Sequence, residues 1–129
     1  MADYLFVYGT LRGDAGHRAS ELLARRARKV GPGRVRGRLY DLGAYPAAVP
    51  SPDPAHRVRG LVYRVEAALR EVLLADLDRY EGAAYRRQVA RVVLEDGESV
   101  QAWVYFYART PPPGREIASG DYLELGVRS

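Results

Sequence analysis

The sequence predicts an α+β fold: one domain, residues 1–129, with a small mixed β-barrel or sheet flanked by two main helices. Length is the first observation, because 129 residues is the usual size of one domain with one core. Composition is the second, because 47% hydrophobic and 28% charged residues are typical of a globular chain. The third is the order of the predicted elements, which runs strand, helix, strands, helix and hairpin.

The N-terminal part of the chain predicts a strand followed by a helix. Residues 3–8 form a short apolar segment that ends at Gly9, as a buried strand would. Residues 17–29 place leucine and alanine side chains on one face of a helix. The Gly-Pro-Gly segment at 31–33 is predicted to end this helix.

The middle of the chain predicts two strands separated by a loop. Within residues 34–42, Val35 and Leu39 alternate with arginines, which is the pattern of a half-buried strand. Residues 43–54 contain four prolines and predict a long irregular loop, a kind of segment that is often functional. Residues 58–65 alternate again and predict a second strand.

The second half of the chain predicts the main helix and a hairpin. Residues 66–80 repeat apolar side chains at three- and four-residue intervals, on a stripe formed by Leu69, Val72, Leu73 and Leu77. Two strands are predicted after it, at 87–95 and 99–107. The Asp-Gly pair at 96–97 lies between them and is a strong signal for a tight hairpin turn.

Glu81 is the candidate proton-transfer residue. The helical stripe steps by four residues, and the step after Leu77 lands on Glu81, so a carboxylate ends the core-facing row. Gly82 follows and can take the left-handed conformation that stops a helix. Burial and the negative end of the helix dipole both raise a carboxyl pKa, whereas Arg86 or Arg87 can oppose them. The alternative is a frayed helix end with Glu81 in solvent.

The turn Tyr8-Gly9-Thr10-Leu11 is the candidate binding loop. Gly9 allows the backbone to turn sharply, so successive N–H groups can point into one concavity and bind a carboxylate or carbonyl oxygen. The alternative is an ordinary turn at the end of a strand. The turn matches neither of the glycine patterns that bind phosphate or dinucleotides.

Three of the ten tyrosines are candidate walls of a small-molecule site: Tyr45, Tyr85 and Tyr122. They lie in predicted loops or at the ends of elements, where a phenol offers a ligand an apolar body and a polar tip. The alternative for each is packing at the core or its rim. The segment 105–107 is interpreted instead as the core of a strand.

Composition excludes several kinds of site. The chain has no cysteine, which removes disulfides, thiol nucleophiles and cysteine metal ligands. Only two histidines are present, His17 and His56, so a histidine-rich metal site is also excluded. The sequence therefore predicts no metal and no cofactor, and it leaves carboxylates, hydroxyls and backbone groups to carry any chemistry.

The basic residues raise the question of an anionic partner. The net charge is +4, and all basic residues except Lys29 are arginine. The clusters at 25–29 and 34–38 fit either a nucleic acid or solvated arginines on a helix end and on the outer face of a strand. The alternating spacing at 34–38 favours solvated arginines, so no nucleic-acid partner is predicted.

The remaining expectations concern location and assembly. The apolar segments are too short to cross a bilayer, so no membrane partner is predicted. The N-terminus shows no signal-peptide pattern, and we expect a cytoplasmic protein. The sequence carries no information on oligomeric state.

Three motifs together resemble one known family: Tyr8-Gly9-Thr10-Leu11-Arg12, then Tyr80-Glu81-Gly82 with Tyr85 and Arg86, then Ser119-Gly120-Asp121-Tyr122. In this order and spacing they resemble the gamma-glutamylcyclotransferase-like superfamily. Within it, they are most similar to the AIG2-like and gamma-glutamylaminecyclotransferase branch. The resemblance covers almost the whole chain.

The resemblance implies a small mixed barrel with a cavity lined by the 8–11 turn, and a glutamate, here Glu81, as general acid/base. It also implies a reaction on a small-molecule substrate. The substrate's α-amine attacks its own γ-carbonyl, closes a five-membered ring, and releases an amine and 5-oxoproline. Tyr45, Tyr85 and Tyr122 would be wall residues by position. The alternative function is a small-ligand-binding or regulatory domain with the same pocket and no turnover.

Overall fold

The computed structural model describes residues 3–8, 27–43 and 46–121. These residues form seven strands and one helix. In chain order the elements are β1 Tyr4–Val7, β2 Ala27–Arg36, β3 Arg38–Asp41, β4 Pro46–Val49, β5 Arg57–Val65, α1 Arg70–Glu81, β6 Tyr85–Leu94 and β7 Ser99–Tyr107.

Five of the strands close into a barrel in the order β1-β5-β2-β6-β7. β1 completes the circle because it pairs antiparallel with β5 and parallel with β7. The other barrel pairs are antiparallel, and β3 and β4 form a separate two-stranded sheet. The predicted mixed α+β class is therefore confirmed, with a closed barrel as its centre.

The core has two parts, one inside the barrel and one between the barrel wall and α1. Alternation along β1 separates them, since Phe6 packs inside whereas Leu5 and Val7 pack towards the helix. On the helix, Leu73 and Leu77 are fully buried against the outer wall. Burial of side chains of this size stabilises a fold by about 1.5–3 kcal/mol each. These contacts fix the C-terminal end of α1 against the barrel.

The predicted first helix is wrong at its C-terminal end, because residues 27–29 begin β2 and pair with β5. Residues 17–26 lie outside the described residues. The Gly-Pro-Gly segment at 31–33 does not end a helix but lies within β2, where the pairing register shifts between Lys29 and Gly31. A bulge accommodates glycine and proline inside a strand, so residues that usually break structure are tolerated here.

The middle of the chain also differs from its prediction. The strand predicted at 34–42 is divided, because β2 ends at Arg36 and β3 begins at Arg38. The loop predicted at 43–54 contains β4, in which Ala47 and Ala48 are fully buried. Proline stands at the first position of β4, where the missing N–H group is tolerated.

The helix α1 begins four residues later than predicted, and its apolar stripe is narrower. Leu69 and Val72 are 38% and 56% exposed. The stripe that packs on the barrel consists of Leu73 and Leu77, and Leu74 beside it is also buried. The predicted strands at 58–65, 87–95 and 99–107 are confirmed as β5, β6 and β7 within two residues at each end. Within the described residues, no helix combines the length and the apolar character needed to span a membrane.

Candidate active site

Glu81 is the last residue of α1, one four-residue step beyond Leu77 on the face that packs against the barrel. Burial raises the pKa of its carboxyl group from 4.5 to about 7, because the charged form loses hydration. Among the described residues, no arginine or lysine forms an ion pair with Glu81. At neutral pH the group is therefore divided between its acid and base forms.

Gly82 ends the helix directly after Glu81. Its φ of 75° is positive as expected, but its ψ of −169° is extended, so the predicted left-handed cap is wrong in detail. This region of backbone conformation is populated almost only by glycine. The Gly82 N–H donates to the carbonyl of Asp78 at 3.0 Å and closes the last turn. The chain is thus redirected towards β6 at the residue that follows the carboxylate.

Replacing Gly82 with alanine tests how far this backbone conformation positions Glu81. No atom lies within 4 Å of the added methyl group, so the cost comes from backbone strain alone, about 1–2 kcal/mol of unfolding free energy. We expect Gly82→Ala to lose that stability in urea denaturation and to weaken any activity that depends on Glu81. Gly114→Ala is the matched control, because Gly114 also has positive φ (78°) and open space. Equal activity in both variants would contradict the positioning role.

Tyr8 links the end of β1 to two other elements. Its hydroxyl donates to the carbonyl of Tyr105 at 2.5 Å and accepts from the N–H of Ala48 at 3.2 Å. Burial raises the pKa of Tyr8 well above its usual range; the hydrogen bond from the Ala48 N–H opposes this rise, and the negative charge of Glu81 adds to it. Tyr8 therefore stays protonated beside the candidate carboxylate. Its proposed contact with a substrate stays a prediction.

The rest of the predicted binding turn, Gly9, Thr10 and Leu11, lies outside the described residues, as do the predicted wall residues Tyr45 and Tyr122. Tyr85 is described. Its hydroxyl donates to the carbonyl of Pro46 at 2.6 Å. Its ring packs edge-on against the ring of Tyr107, with the two ring centroids 5.5 Å apart. Tyr85 therefore ties the start of β6 to the start of β4, directly after residue 45.

Asp78 and Tyr105 are neighbours of the site that the sequence interpretation missed. The Tyr105 hydroxyl donates to Asp78 Oδ1 at 2.5 Å, and burial raises the pKa of Tyr105 above its usual range. Asp78 lies one turn before Glu81 on α1. The same tyrosine accepts the Tyr8 hydroxyl at its backbone carbonyl, so it joins the helix end to the end of β1. The alternation of Trp103, Tyr105 and Tyr107 along β7 was the sequence feature that could have indicated that Tyr105 faces the helix.

Arg87 does not oppose the raised pKa of Glu81, although the sequence allowed for this. Its Nε lies 3.3 Å from Asp78 Oδ1, and its guanidinium stacks over the ring of Trp103 at 4.8 Å. Arg87 is therefore paired with Asp78 and packed against Trp103 of the barrel wall. Desolvation is therefore the cause of the raised pKa of Glu81.

A hollow of about 300 Å³ lies beside the helix end, lined by Asp78, Gly82, Tyr85, Arg86, Arg87 and Tyr105. Its volume is at the lower limit for a small-molecule site. In the described part of the chain, no three His, Asp or Glu side chains are arranged to hold a metal ion. The described chemistry consists of one half-buried carboxyl group with a pKa of about 7, which interacts electrostatically with Tyr8 and Tyr105 and is followed directly by Gly82.

Fold and site together define a small barrel protein with a half-buried glutamate at the end of its flanking helix. The chain belongs to the family described as gamma-glutamyl cyclotransferase, AIG2-like, whose profile matches residues 5–124. The resemblance inferred from the three motifs is therefore confirmed.

Individual relatives agree with this membership. The chain is 36% identical over 123 residues to the gamma-glutamylcyclotransferase family protein YtfP of Escherichia coli K12, a match that covers 93% of this chain and 96% of YtfP. The crystal structure of an AIG2-like protein from Mus musculus has a TM-score of 0.65 and 27% identity, and covers 85% of this chain and 80% of the mouse chain.

A longer protein contains the same fold. The crystal structure of YkqA from Bacillus subtilis has a TM-score of 0.76 and 27% identity to this chain. The match covers 100% of this chain and 44% of YkqA, so the chain spans less than half the length of that protein.

Proposed function

We propose that this protein is a gamma-glutamylcyclotransferase-like enzyme that releases an amine and 5-oxoproline from a γ-glutamyl compound, with Glu81 as general acid/base. The observation that carries the proposal is the half-buried carboxyl group of Glu81, with a pKa raised to about 7 by desolvation, in a chain of this family. A group whose pKa matches the working pH is the most effective at accepting and returning a proton.

The proposed reaction balances without any further reactant. The substrate's neutral α-amine attacks its own γ-carbonyl carbon, so a C–N bond forms and a five-membered ring closes. Glu81 accepts one proton from the attacking nitrogen and then gives it to the leaving nitrogen as the original amide bond breaks. Ring closure within one bound molecule benefits from enforced proximity. No metal or cofactor takes part in the proposed step.

The binding turn and the tyrosines complete the proposal. We assign the backbone N–H groups of Gly9, Thr10 and Leu11 to the substrate's polar end and to the negative charge that develops on the carbonyl oxygen. Tyr8 supports the start of this turn, since its own hydroxyl is fixed by Tyr105 and Ala48. We assign Tyr45, Tyr85 and Tyr122 to the walls of the substrate site.

The proposal is tested with a panel of γ-glutamyl amino acids and γ-glutamyl amines, measuring the product by mass spectrometry in water enriched in ¹⁸O. Cyclisation keeps the substrate's own γ-carbonyl oxygen, so 5-oxoproline without ¹⁸O is the expected product. Glutamate carrying one ¹⁸O would instead show hydrolysis and contradict the proposal. Saturable binding of a panel member without any product would support the alternative of a ligand-binding domain.

A further inference from the structure

The outer face of β2 and β5 places arginines directly opposite arginines. In the register of these antiparallel strands, Arg34 faces Arg59 and Arg36 faces Arg57. Directly opposite side chains have Cβ atoms about 4.5–5.5 Å apart, and like charges at that separation destabilise a sheet. The sequence showed the alternation on β2, but it did not show that β5 brings two further arginines beside it.

These four arginines have no neutralising partner in the part of the chain that the structure describes. None of them forms a salt bridge with a carboxylate there. Their neighbour Arg38 shows the contrast, because its guanidinium binds both carboxylate oxygens of Glu116, at 3.2 and 2.5 Å. Within the described residues, the positive charge of these four arginines is therefore not neutralised by a carboxylate.

Three of the four arginines, Arg34, Arg57 and Arg59, line one groove of about 630 Å³, which we call the arginine groove. This volume is within the usual range for sites that bind small molecules. None of the groove's described lining residues also lines the hollow beside the end of α1. The groove is therefore separate from the hollow beside the end of α1.

Carboxylates flank the arginine groove on both sides. Glu95 follows β6, which pairs with β2, and it lines the groove from that side. Asp121 lines it from the side of β5, where the Arg59 N–H donates to the carbonyl of Gly120 at 2.7 Å. Glu116, which is bound to Arg38, lines the groove as well. A long polyanion that crossed the sheet would pass these carboxylates, whereas a compact anion can contact the arginines alone. Charge and size thus favour a small multivalent anion over a nucleic acid.

We propose that the arginine groove binds an oligophosphate, a ligand with two or three linked phosphoryl groups, between Arg34, Arg57 and Arg59. The planar guanidinium group donates two parallel hydrogen bonds to phosphate oxygens, which a single ammonium group cannot do. Two arginines on neighbouring strands can each bind one phosphoryl group. The bound ligand would also relieve the repulsion between the opposed arginines.

The test is calorimetric titration of the full chain with inorganic phosphate, pyrophosphate, tripolyphosphate and ATP at low salt. We expect affinity to increase from phosphate to tripolyphosphate and to fall as salt is added. The variant Arg34→Gln/Arg59→Gln should bind tripolyphosphate at least tenfold more weakly. ATP binding tighter than tripolyphosphate would identify a nucleotide as the source of the oligophosphate, and equal binding would identify the phosphates alone.

The matched control is Arg28→Gln/Arg64→Gln, because Arg28 and Arg64 are also opposed on β2 and β5 but do not line the groove. It removes the same charge, and we expect less than a twofold change in affinity. Unaltered melting temperatures of both double variants would show that each is folded. No binding by either oligophosphate, equal losses in both variants, or tighter binding of duplex DNA would overturn the proposal.

Discussion

Glu81→Gln should lower the release of 5-oxoproline by about 1,000-fold, the middle of the range for loss of a general acid/base. The substitution keeps the size and polarity of the side chain but removes its ability to accept a proton. Burial gives Glu81 a pKa of about 7, so the wild-type group can both take and return a proton at neutral pH. The measurement is kcat/KM with the best γ-glutamyl substrate of the panel.

Glu71→Gln is the matched control for this loss. Glu71 lies in the first turn of the same helix and is exposed. Its replacement by glutamine is the same chemical change as Glu81→Gln. We expect its kcat/KM to remain within twofold of the wild type. If Glu81→Gln retained wild-type turnover, Glu81 would not be the proton-transfer group.

The same variant should be more stable than the wild type at alkaline pH, by about 3 kcal/mol above pH 8. The carboxyl pKa of Glu81 is about 7 in the folded chain and 4.5 without burial. Below pH 4.5 the carboxyl group is protonated in both the folded and the unfolded chain, so the variant and the wild type do not differ in stability through this group. Between these values the unfolded state loses its proton first, so the wild type loses about 1.4 kcal/mol per pH unit relative to the variant. Above pH 7 the difference is constant.

Urea denaturation from pH 4 to pH 9 measures this difference. We expect the stability of Glu81→Gln minus that of the wild type to rise with pH and to level off above neutrality. Glu71→Gln, measured over the same pH range, is the control for the removal of a carboxylate from an exposed position on the same helix. A flat curve for Glu81→Gln would mean that its carboxylate is well solvated in the folded protein. Stability would then give no support to a buried acid/base.

The position of Glu81 was predictable because a helical period depends only on local geometry. Leu73, Leu77 and Glu81 share one face at four-residue spacing, and that face packs on the barrel. The hairpin of β6 and β7 was predictable for a similar reason, since the turn residues lie next to each other in the chain. Gly97 has a φ of 89°, and Leu94 N–H donates to the carbonyl of Glu98.

Features that depend on partners distant in the chain were not predictable. The local sequence of residues 27–33 predicts the end of a helix followed by a helix terminator, but pairing with β5 makes these residues part of a strand. The contacts of Tyr105 join Tyr8, 97 residues away, to Asp78, 27 residues away. The opposition of Arg34 and Arg59 likewise depends on the register of two strands. No periodicity within a single segment contains that information.

The pKa of Glu81 itself tests the central claim most directly. In protein labelled with ¹³C at the glutamate carboxyl carbon, the resonance of Glu81 is assigned by its absence from the spectrum of Glu81→Gln. Its chemical shift is then followed from pH 3 to pH 10. A titration midpoint of about 7 is the predicted result, because burial disfavours the charged form. A midpoint near 4.5 would contradict the claim that this carboxyl group is held ready to exchange protons at neutral pH.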